Sequence, residues 1–133
     1  MKPFNLDTHK VTLRGVFYPT GHVLLMLPSR QQAEDAARAI AQAGIGGDEV
    51  SLLSPETVLG PIAETLGGSD SPFPSPGSEA EMVRQMVKLA HQDHWGLLVH
   101  APRTPDADKV MRAVRDLPVA MAERYRHLVI EDL

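Results

Sequence analysis

The chain has 133 residues, 43% of them hydrophobic, which suits one domain with a core of its own. Its formal net charge is −4, so no basic field draws a phosphate backbone, and nucleic-acid binding is not expected. The absence of cysteine excludes disulfides, thiolate catalysis and Cys-ligated metal sites, and fits a reducing compartment.

Residues 1–20 read as an N-terminal arm in which Val11, Leu13 and Phe17 alternate loosely with Thr12 and Arg14, as a half-buried strand would. The arm carries Asp7, Lys10 and Arg14 and has no apolar run of signal-peptide length. No segment approaches the roughly 18–20 apolar residues of a membrane span, so a cytoplasmic location without membrane partners is expected. Residues 21–133 read as one α+β domain.

Val23 to Leu27 is an apolar run of strand length bounded by Gly21 and Pro28, suited to a central strand buried on both faces. Ser29 and Gln32 form a capping box for a helix whose stripe is Ala33, Ala36, Ala37, Ile40 and Ala43. Gly44, Gly46 and Gly47 stop it, and Glu49 to Leu53 is a second strand. Ser54-Pro55-Glu56 opens a short helix, interrupted at Gly60-Pro61. Residues 67–77 hold three prolines, three glycines and three serines and predict an exposed, flexible loop. Ser78 and Glu81 form another capping box, and Met82, Val83, Met86, Val87 and Ala90 give the next helix an apolar face. Leu97 to Pro102 then repeats the pattern of Val23 to Pro28, and beyond the prolines Ala33 falls on Ala107, Arg38 on Arg112 and Ile40 on Val114. Thr104-Pro105 caps a helix with Ala107, Val110, Met111, Val114 and Leu117 on one face, and Arg126 to Ile130 closes the chain as a β-branched strand.

Two βαβ units with right-handed crossovers predict a ferredoxin-like, four-stranded antiparallel sheet in the order 4-1-3-2. Helices cover one face, and extra helices are inserted between strands 2 and 3. The run Pro28 to Ala36, the turn Gly44 to Asp48 and the strand Val50-Ser51-Leu52-Leu53 resemble the small bacterial general-stress-protein family. The resemblance spans about residues 21–54, with a fainter echo in 96–132. It implies a ferredoxin-like fold and lends no settled biochemical activity.

Strand alternation puts Val23, Leu25, Leu27, Leu97, Val99 and Ala101 beneath the helices. It leaves His22, Leu24, Met26, Leu98, His100, His127 and Val129 on an open face too apolar for bulk water. Either a second subunit or the arm and the 55–78 insert should cover that face, with a ligand pocket between cover and sheet as the functional reading. His100 and His127, flanking Met26, are expected about 10 Å apart, too far to share one metal with bonds of about 2 Å. His91 and His94, three apart on the expected helix, are the remaining metal candidates, but two ligands are too few for a site. No cofactor is expected. No phosphate-cradling glycine loop, Ser-His-Asp spacing or nucleophile elbow is present, and Leu24, Met26, Leu98 and His100 replace the aromatics of an RNA-stacking sheet.

Three functions stay open on these grounds. The first is a non-enzymatic, stress-related or regulatory module that forms a homodimer or binds a small ligand. The second is a dimeric α/β-barrel-type enzyme using His100 or His127 as acid or base. The third is an amino-acid-sensing regulatory domain.

Overall fold

The computed structural model describes residues 1–4, 12–13, 15–67, 78–127 and 129–133. Asp7, Lys10, Val11, Arg14, Leu128 and all of the loop expected over 67–77 except Gly67 lie outside the described residues. Among the described residues no helix is long and apolar enough to cross a membrane.

The architecture is α+β, built on a mixed six-stranded sheet. In spatial order its strands are β1 (Lys2–Pro3), β5 (Val50–Leu53), β6 (Trp95–His100), β4 (His22–Leu27), β7 (Met121–Arg126) and β8 (Val129–Asp132). Every pairing is antiparallel except that of β1 with β5. A separate hairpin joins β2 (Thr12–Leu13) to β3 (Val16–Phe17).

Two expectations are corrected here. The sheet is neither four-stranded nor wholly antiparallel, because the start of the arm adds β1 to one edge and the chain's end adds β8 to the other. The segment Arg126 to Ile130 is not a continuous strand: Arg126 pairs with Val129, so the chain reverses at His127 and the strand beside β4 comes earlier, at Met121–Arg126.

On one face, α1 (Arg30–Gln42) and α5 (Thr104–Ala113) pack Ala33, Ala36, Ile40, Ala107 and Val110 against Val23, Leu25, Leu27, Leu97 and Val99. The capping serine behaves as expected, since Ser29 Oγ accepts from the Gln32 amide at 3.2 Å, while Ser29 Oγ also donates to Gln32 Oε1 at 3.1 Å. At the other end Gly44, at φ 97°, lets its amide reach Ala41 O and the Ile45 amide reach Ile40 O. These bonds satisfy the last carbonyls in a conformation that costs glycine little. Thr104 does not cap α5; Arg103 holds the cap position, where its side chain donates to Asp106 at 3.2 Å and accepts from no helix amide.

The second face is closed too, so helices do not lie on one face alone. A short helix α2 (Pro55–Thr57), a wider turn at Val58–Ile62, α3 (Ala63–Gly67) and α4 (Ser78–Ala90) form this layer together with β3. Val58, Ile62, Val83 and Met86 meet Leu24, Met26 and Leu53 there. Pro61 within the wide turn has no amide to give to an α-type ladder. The arm is pinned by a relay in which the Phe17 amide donates to Thr65 Oγ1 at 3.1 Å and that hydroxyl donates to Ile62 O at 2.6 Å. Edge-to-face contacts run from Phe4 to Phe17 at 6.1 Å, from Phe17 to Tyr125 at 6.4 Å and from Tyr18 to Tyr125 at 5.1 Å. The N-terminal aromatics thus serve as part of the cover.

Phe17 is fully buried at the centre of this cover. Truncation to alanine should cost about 3–5 kcal/mol, the usual penalty for a buried phenylalanine. Urea unfolding of Phe17→Ala against the parent chain measures it, and an unchanged midpoint would show that the arm does not hold the second layer.

Candidate functional site

The suspected sheet-face residues divide into three groups. Leu24, Met26 and Leu98 share one face, as alternation requires, and are buried under β3, the 58–62 turn and α4. His22 and His100 lie at the rim of that face, opposite one another in register, with ring centroids 5.0 Å apart. His127 sits at the β7–β8 turn and Val129, 52% exposed, opens β8. His100 and His127 therefore do not flank Met26: Met26 stands between Gly96 and Met121.

At the rim, His100 Nδ1 lies 2.7 Å from Glu49 Oε2, and His22 Nδ1 lies 3.0 Å from Thr20 O. Burial holds the His22 imidazole below its ordinary value, and the neighbouring His100 pushes the same way. His91 and His94 fall in the turn after α4, which ends at Ala90, so they do not share a helix face. Among the described residues no group of three metal-ligating side chains forms.

The residues that sequence reading missed are on β7. Because Met121, not Arg126, begins the strand beside β4, alternation places Met121, Glu123 and Tyr125 on the face beneath α4. Glu123 is only 7% exposed, and the register of the hairpin sets Asp132 directly across from it. The Leu133 amide, bonded to Ala122 O at 3.0 Å, fixes the end of β8 in that position. Two carboxylates facing each other across a sheet repel, so the pair is stable only when it holds a proton. Burial, then the charge of Asp132 and a hydrogen bond with it, push Glu123 up to about 7.

The pair borders a groove of about 610 Å³ at the edge where the cover of the sheet ends. Met82 and Gln85 of α4 form one wall; Met121, Ile130 and Leu133 supply apolar surface on the other. Its size is that of a small-molecule site, and this open, mostly polar groove sets the two carboxylates and Gln85 beside a few apolar side chains. Behind Glu123, the Tyr125 hydroxyl is buried without a hydrogen-bond partner among the described residues. Burial, with Glu123 and Tyr18 adding to it, keeps that phenol protonated. The alternation of Met121, Glu123 and Tyr125 after Pro118 was the available signal for this strand, masked by the charges within it.

Comparison with protein-family models, with curated proteins and with solved structures gives no match for this chain.

Two opposed pH dependences follow. Glu123 is raised in the fold, so its contribution is complete at low pH and is lost as pH rises through about 7. Glu123→Gln, which mimics the protonated acid, should therefore gain stability relative to the parent chain between about pH 5 and pH 8 in thermal unfolding; parallel curves would refute the shift. His22 is lowered, so its contribution is complete above its unfolded value and is lost as pH falls below it. His22→Gln should lose less stability than the parent between about pH 7.5 and pH 5.5, measured the same way.

Proposed function

We propose that the protein is a non-enzymatic, regulatory module that binds a small organic cation, such as a primary amine on an apolar body, in the groove beside α4. The single observation carrying this reading is Glu123, which keeps its proton to about 7 against Asp132 on the groove's border. A cationic head takes the place of that proton, leaving both carboxylates ionised and paired, while Met82, Met121 and Ile130 receive the apolar body.

The fold reading that accompanies it is a ferredoxin-like βαβ repeat, supported by the inner strand order β7-β4-β6-β5 with β1 and β8 as additions. The expected homodimer has no part in this reading, because the sheet face it was to bury is filled at Leu24, Met26 and Leu98 by the chain's own segments. The histidine-based enzyme is the weaker alternative, since His100 and His127 line separate cavities.

Calorimetric titration with a panel of primary amines, their neutral alcohol counterparts and amino acids tests the proposal. Amines should bind more tightly at about pH 8 than at about pH 6 and should release a proton in the lower range, as linkage requires. Glu123→Gln and Asp132→Asn should abolish the preference for cations. Equal binding of alcohols and amines, or binding indifferent to both substitutions, would overturn it.

A further inference from the structure

A second cavity, of about 420 Å³, lies at the opposite end of β7, between the Gly21 corner, Pro102 and the β7–β8 turn. Its charged lining is Arg124 and Arg126, its other titratable residues are Tyr125 and His127, and no carboxylate is found among its described lining residues. In a chain of net charge −4, that is a local reversal of sign.

Arg124 is the built part of this cavity. Its side chain is 8% exposed, on the face of β7 opposite Glu123, where it donates to Thr104 Oγ1 at 3.0 Å, Pro102 O at 3.4 Å and Glu131 Oε1 at 3.4 Å. Charge-assisted bonds are usually about 2.7–2.9 Å long, so the contact with the half-exposed Glu131 is a loose one. The Thr104 contact joins the guanidinium to the start of α5, whose cap residue supplies no side-chain acceptor. Arg126 and His127 are exposed beside it, and Tyr18 Oη fixes the backbone there by donating to Arg126 O at 2.6 Å.

We propose that this cavity binds a small molecule through a phosphate group. One guanidinium already offset in part by Glu131, a second guanidinium and an imidazole suit a compact dianion better than a single carboxylate. The Thr20 side chain, also in the lining, supplies a hydroxyl donor. The cavity has the volume of a small-molecule site, which favours a free phosphorylated ligand over an extended nucleic-acid backbone.

Inorganic phosphate is the probe, with acetate and chloride at matched ionic strength as controls, read by thermal shift and by phosphorus NMR line broadening. Phosphate should raise the melting temperature saturably, with acetate and chloride well below it. Arg126→Ala removes an exposed side chain, leaves the fold intact and should weaken phosphate about tenfold or more. Arg124→Lys keeps the charge but loses the planar fork and should weaken it also. Glu123→Gln should leave phosphate affinity unchanged, which separates this site from the amine groove. A phosphate effect no larger than that of chloride, or one indifferent to Arg126→Ala, would overturn the proposal.

Discussion

Between Val23 and Leu27 no side chain reaches water: Val23, Leu25 and Leu27 lie beneath α1 and α5, while Leu24 and Met26 lie beneath β3, the 58–62 turn and α4. A strand apolar on both sides needs two covers, and no single pair of crossover helices can supply both. The second layer is therefore assembled from what remains, the arm and the insert between β5 and β6. Fit is close where these parts meet. A Cβ on Gly96 would stand 3.1 Å from both Met26 Sδ and Leu53 Cβ, so the absent side chain of β6 makes the room that Met26 occupies.

The cover does not extend evenly over the sheet. It is thickest over β4 and β6, where apolar residues meet it, and ends at the β7–β8 hairpin, where Glu123 and Tyr125 occupy the same face. A buried hydroxyl without a partner and an acid beside a second acid are both unfavourable in isolation. They persist because Tyr125 supplies its ring to Phe17 and Tyr18, and because burial and the neighbouring Asp132 keep Glu123 protonated up to about 7. Apolar packing of the arm and the unusual acidity of the groove are thus properties of one strand, two residues apart.

Sequence reading was strongest where apolar periodicity was clean. The repeat of Val23–Leu27 in Leu97–Ala101 gave both the strands and the correct division of their faces, and the stripes of α1, α4 and α5 were visible from their spacing. It failed at Met121–Arg126, where Glu123, Arg124 and Arg126 hide a strand that is buried over most of its length. Charge normally marks an exposed segment; here Arg124 lies inside because Thr104, Pro102 and Glu131, invisible to local pattern, accept from it, and Glu123 because it keeps its proton up to about 7. Shifting the closing strand towards Met121 moved His127 and Val129 off the sheet face and brought Glu123 and Tyr125 onto it. The arm was legible as an extended segment and, with the 55–78 insert, as one of two candidate covers, but the full burial of Val16, Phe17 and Tyr18 was not: they are a short run with no period, and their burial is decided by the distant partners Thr65 and Tyr125.

Strand β8 sets a carboxylate against a charged group on each face of β7. Asp132 stands opposite Glu123 on the face beneath α4, and Glu131, one residue before it, meets Arg124 on the other. Alternation makes this geometry unavoidable, since neighbouring residues on a strand point to opposite sides. A strand on the sheet edge has one pairing partner only, here β7, so it yields more readily than the inner strands do. Acidic groove and basic cavity thus lie on opposite faces of the β7–β8 hairpin, each served by its own residue of β8, and share no side chain.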